Sequence, residues 1–108
     1  MDDQPTISTH VLDAATGQPK PGVVVTLIYL PEDADDLSDP TGGTTDDDGR
    51  VRNLTTEPLK AGNYLLVFRV EGPFFQEVSI EFVVDDTTRS YHVPLLLAPY
   101  SLTTYRGS

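Results

Sequence analysis

The sequence contains no cysteine, no tryptophan and a single methionine in 108 residues. The lack of cysteine removes disulfides, thiolate nucleophiles and thiolate metal sites together. Positive charge is also scarce. Lys+Arg number 7 against Asp+Glu 17, a formal net charge of -10. Binding nucleic acid by neutralising phosphates needs the opposite balance, and so does adhesion to an anionic membrane surface. Neither partner is expected. No apolar run reaches the roughly 20 residues of a membrane-spanning helix. The acidic start Met1-Asp2-Asp3-Gln4-Pro5 has no basic-then-apolar leader pattern. These features predict a cytoplasmic protein. Several catalytic signatures are missing as well: a G-x-S-x-G elbow, a phosphate-cradling glycine loop and H-E-x-x-H. With two histidines and no third ligand nearby, neither a zinc site nor any other metal or cofactor is expected.

What is present reads as β-structure. A chain of this length makes one domain, residues 1–108, and hides roughly 65% of the surface its unfolded form exposes. Residues 6–12 alternate: Ile7, Thr9 and Val11 fall on one face, Ser8, His10 and Leu12 on the other. Residues 23–30 are apolar and β-branched on both parities. A short strand is predicted near 43–45 and another over 50–54. Residues 63–70, 78–84, 91–97 and 101–105 complete the set, separated by Gly-, Pro- and Asp-rich turns. No helix of ten residues is predicted. Seven to eight short strands at this spacing predict an all-β, antiparallel two-sheet Greek-key sandwich with little or no helix.

Two features invite chemistry. The acidic connection over 31–49 ends in Asp46-Asp47-Asp48-Gly49. An EF-hand loop would need Asp at Thr44 and Glu at Thr55, so the run reads as a solvated turn, not a calcium loop. His10 and His92 lie inside predicted strands, each on the parity opposite the core stripe. Strand 91–97 is apolar on both parities, which predicts cover on its second face by another subunit. Imidazole is the side chain suited to proton transfer near neutral pH.

Three blocks then carry a family likeness. They are Ser8-Thr9-His10-Val11-Leu12-Asp13-Ala14-Ala15-Thr16-Gly17-Gln18-Pro19, Thr45-Asp46-Asp47-Asp48-Gly49-Arg50, and Tyr91-His92-Val93-Pro94-Leu95-Leu96-Leu97-Ala98-Pro99-Tyr100 with the ending Tyr105-Arg106-Gly107-Ser108. Over nearly its whole length the chain resembles the 5-hydroxyisourate hydrolases, the transthyretin-like enzymes of urate breakdown. The resemblance implies a prealbumin-type sandwich assembled as a homotetramer, a dimer of dimers with active sites in a channel between subunits. It implies His10, Arg50 and His92 as catalytic residues. Substrate contacts would come from His10, Arg50, Tyr105, Arg106, Gly107 and Ser108. The implied reaction adds water to a ring carbonyl carbon of 5-hydroxyisourate and opens the six-membered ring, giving 2-oxo-4-hydroxy-4-carboxy-5-ureidoimidazoline. Members of this family usually carry a short helix before the strand that opens near Val78. Residues 71–77 leave little room for it. Two other readings of the same pattern are a carrier of the transthyretin type, binding an aromatic ligand without reaction, and a non-catalytic surface module.

Overall fold

The computed structural model describes residues 4–33, 35 and 38–107. Eight strands form: β1 Ile7–Asp13, β2 Val24–Leu30, β3 Thr41–Thr44, β4 Arg50–Val51, β5 Gly62–Arg69, β6 Glu77–Val84, β7 Tyr91–Leu97 and β8 Leu102–Thr104. They make two four-stranded sheets, ordered β4-β1-β7-β8 and β3-β2-β5-β6. The alternation read from the sequence places the core. Ile7, Val11, Tyr91, Val93 and Leu95 from the first sheet meet Val25, Leu27, Leu66, Phe68 and Val84 from the second. Burial of this apolar stripe from each sheet is the main force holding the two layers together. Thr9 is the polar member of the buried β1 stripe. Its hydroxyl donates to Val93 O at 2.6 Å, which removes the cost of burying it.

Pairing is antiparallel with one exception. β1 and β7 run parallel, in register from Ile7↔Tyr91 to Asp13↔Leu97. Alternation within a strand says which residues share a face but not which strands meet, so this pair departs from the all-antiparallel expectation. Parallel neighbours need a long connection, and here it is most of the chain. The fourth strand is also shorter than predicted. After Val51 the ladder stops, yet Leu54 is buried and its N–H donates to Ile7 O at 2.8 Å. The chain therefore stays beside β1. β3 opens two residues earlier than predicted, because Thr41 already pairs with Leu27.

Between β5 and β6 the chain reverses in a tight turn with Gly72 N–H donating to Phe75 O at 2.9 Å. The helix usual at this place is absent. Pro94 lies within β7, a central strand, where a missing N–H would normally break a ladder. Its carbonyl accepts from the Thr104 hydroxyl at 2.8 Å. Main-chain pairing then resumes where Gly107 N–H donates to His92 O at 2.7 Å. The tail thus stays alongside β7 past the proline.

Candidate active site

Register brings the sequence-predicted residues together. His10 pairs with Arg50 across β1 and β4. Ser8 pairs with His92 across β1 and β7. Residues opposite one another across a ladder share a face, and so do residues two apart along a strand. Ser8, His10, Arg50 and His92 therefore all stand on the outer face of the first sheet, away from the core.

Each side chain is held by a local device. The turn before β4 is shaped by Asp46, whose carboxylate accepts from the amides of Asp48 at 2.9 Å and Arg50 at 3.0 Å. The amide of Arg50 holds this carboxyl below its ordinary range, with smaller help from Asp48 and the positive charges of Arg52 and Arg50. Gly49 closes the turn at φ 75°, and a Cβ there would lie 2.4 Å from Val11 O. Only glycine satisfies both the left-handed backbone and that approach. The acidic run is thus a structural turn that launches Arg50. It also supplies a carbonyl: His10 Nε2 lies 2.9 Å from Asp48 O. A carbonyl only accepts, so Nε2 carries the hydrogen and Nδ1 holds the lone pair in neutral His10.

His92 is fixed from two sides. Its Nδ1 lies 2.9 Å from Ser8 Oγ. Its ring edge lies over Gly107, where a Cβ would sit 2.6 Å from Cδ2. Burial, then the positive charge of Arg50 and then His10, lower the pKa of His92, against a smaller opposing effect from Ser8. Its neutral, proton-accepting form is therefore favoured at neutral pH.

A concavity of about 450 Å³ opens on this face, lined by Ser8, Arg50, Arg52, Ser90 and His92 with parts of Thr9, Val51 and Tyr91. Arg52 was not singled out in the sequence. Its signal was its place two residues beyond Arg50, on the same parity.

The tail divides. Gly107 reaches His92 through its backbone. Tyr105 and Arg106 instead line a separate recess of about 260 Å³ with Ile80, Phe82, Val83 and Tyr91. The Arg106 guanidinium stands over the Tyr91 ring at 5.2 Å. Within a single chain these two residues do not join His10, Arg50 and His92. Ser108 lies outside the described residues. The described residues include no helix long and apolar enough to cross a membrane.

The model of the HIUase/Transthyretin family matches residues 7–107. The chain belongs to that family. A Deinococcus radiodurans protein named 5-hydroxyisourate hydrolase is 39% identical, the alignment covering 100% of both chains. Among solved structures, Klebsiella pneumoniae 5-hydroxyisourate hydrolase is 33% identical with a TM-score of 0.77, covering 95% of this chain and 99% of that one. Sea bream transthyretin, solved with thyroxine, is 28% identical with a TM-score of 0.80, covering 94% and 93%. The HIUase/transthyretin fold thus serves an enzyme and a thyroxine-bound protein with almost equal backbone likeness. Fold alone does not separate those roles, and the side chains on the outer face must.

Proposed function

We propose that the protein is a 5-hydroxyisourate hydrolase, opening the six-membered ring of that oxidised purine in urate breakdown. One observation carries the reading: an imidazole poised neutral shares a concavity with a guanidinium, and a second imidazole pairs with that guanidinium across the strand. Hydrolysis of a ring amide needs a base for water, charge stabilisation for the oxyanion and a proton for the leaving nitrogen. We assign the base to His92. For Nε2 to accept a proton, Nδ1 must hold the hydrogen, and Ser8 Oγ at 2.9 Å is able to accept it. Arg50 places two N–H groups toward the reacting carbonyl as its oxygen gains charge. His10, its Nε2–H held by Asp48 O, offers Nδ1 to the proton traffic around the leaving nitrogen. The water oxygen bonds to the carbonyl carbon, the C–N bond breaks, and nitrogen takes a proton. The product is a carboxylate.

The same reading includes a homotetramer, a dimer of dimers, with the outer face of β4-β1-β7-β8 lining a channel between subunits. Its support is the position of Tyr105 and Arg106 away from their own chain's concavity. In the tetramer those two residues would contribute across a subunit boundary. A cytoplasmic setting belongs to this reading too, and cell fractionation checks it.

The test is direct. Freshly generated 5-hydroxyisourate is mixed with the protein and its ultraviolet absorbance followed. Decay well above the spontaneous rate is expected. Decay at the spontaneous rate, with tight binding of an aromatic ligand, would favour a carrier of the transthyretin type, the reading that the sea bream likeness supports. Removing residues 105–108 is expected to leave a folded, inactive protein by circular dichroism and assay. Full activity after that truncation would remove the tail from the site.

A further inference from the structure

The concavity is unusual for this protein in what it excludes. The chain carries 17 acidic residues against 7 Lys+Arg. Three other concavities each expose carboxylate alongside any cation: Asp39 and Glu57 with Lys60, Asp85 with Arg106, and Asp13 and Glu71 with Lys20. The one beside His92 is lined by Arg50 and Arg52 and, among the described residues, by no carboxylate. Other cations are engaged elsewhere. Arg69 pairs with Glu77 at 3.4 Å, while Arg89 and Arg106 stand over the Tyr91 ring at 5.9 and 5.2 Å. Among the described residues neither Arg50 nor Arg52 has a side-chain hydrogen bond or ion pair. Asp46, which feels both charges, has its carboxylate committed to backbone amides. Two neighbouring guanidiniums repel one another, and among the described residues only the longer-range charge of Asp46 offsets this. An anion between them would offset it directly.

We propose that Arg52 is a second anion-binding residue of this site, taking the anionic edge of the purine-derived ring while Arg50 faces the reacting carbonyl. The proposal rests on the hydrolase reading for the identity of the ring. Arg52 is exposed and lies just past β4, while Arg50 is half-buried, so Arg52 is the more accessible of the two to an incoming anion. Locally it offsets the repulsion that a protein of charge -10 exerts on such a ligand. Ser8 and Ser90 supply neutral hydrogen-bonding groups along the same wall.

The test compares the wild type with Arg52→Gln, Arg52→Lys and Arg69→Gln. The last removes the same charge from the other sheet. Two quantities are read: KM and kcat for 5-hydroxyisourate, and the dissociation constant of urate, a stable ring-closed probe, by calorimetry. Arg52→Gln is expected to raise KM and the urate dissociation constant about tenfold, the scale of one charge-assisted contact, with kcat falling less than about threefold. Arg52→Lys is expected to recover part of both losses, and Arg69→Gln to match the wild type. Intact turnover with equal KM and urate affinity in Arg52→Gln and the wild type would overturn the role of Arg52 and leave the hydrolase reading standing. Equal losses in Arg52→Gln and Arg69→Gln would overturn it too, reducing the effect to overall charge. A wild type that binds urate without turnover would refute the hydrolase reading, and the urate ratio alone would then decide Arg52. A wild type that does neither would end both.

Discussion

The outer faces of the two sheets answer the same charge problem in opposite ways. On β5 and β6, Arg69 lies directly across from Glu77 and pairs with it, and Asn63 donates to Glu81 at 2.6 Å. On β4, β1 and β7, Arg50 lies across from His10, an imidazole, and among the described residues no carboxylate forms an ion pair with it. The first arrangement is an ordinary solvated surface, where exposed pairs contribute ~0–1 kcal/mol. The second leaves cations unanswered beside an imidazole held neutral. Net charge cannot explain the difference, since acids outnumber bases overall. What distinguishes the faces is where the acids are withheld.

Four measurements would break or sharpen this contrast, beginning with the largest effect. Arg50→Ala is expected to lower turnover of 5-hydroxyisourate at least about 100-fold, the scale of losing one oxyanion donor. A variant keeping more than half its activity would place Arg50 outside the chemistry. Gly107→Ala comes next. Its new methyl must push the His92 ring aside. Activity is expected to fall about tenfold, with a stability loss of about 1–3 kcal/mol in urea melts. Unchanged values would show that the ring tolerates displacement.

The third measurement is the pH profile. Folding lowers the pKa of His92 below its ordinary 6.5, first through burial and then through Arg50. The acid limb of kcat/KM is therefore expected below pH 6.5, with activity lost as His92 gains its proton. Replacing Arg50 removes one of the lowering influences, so the limb should move up toward 6.5. Stability follows the same linkage. Between the folded and unfolded pKa values the unfolded chain binds more protons, so this contribution is present above pH 6.5 and is lost on acidification through that window. A profile flat from pH 5 to 8 would end the role of an imidazole base. The smallest effect is expected for Arg69→Gln, which should shift stability by less than about 0.5 kcal/mol and leave catalysis unchanged. A large catalytic effect there would collapse the contrast between the two faces.

Much of this was legible in the amino-acid order. Alternation in residues 6–12 gave the buried stripe of β1, and the parity of His10 and His92 gave their outward direction. The turn at Asp46–Gly49 was read as a turn from its Asp and Gly content. Other features depend on which distant segments meet, and no local pattern encodes that. The parallel β1–β7 pair is one case. The Ser8–His92 contact and the packing of the His92 ring on Gly107 are others, as is the diversion of Arg106 to the Tyr91 ring. The grip of Asp48 O on His10 was hidden because a carbonyl belongs to every residue alike. The family likeness supplied the trio His10, Arg50 and His92. Arg52 lay outside the quoted motif and emerged only from the lining of the concavity.

The lateral contact between the first and seventh strands joins residues 84 apart, at Thr6–Ser90, Ser8–His92 and Thr9–Val93 alike. Closing so large a loop is entropically costly and slows folding relative to local pairing. It also means that no amino-terminal or carboxy-terminal half of the polypeptide contains both histidines. A single proteolytic nick in the middle of the sequence would leave each piece holding one imidazole and neither holding both.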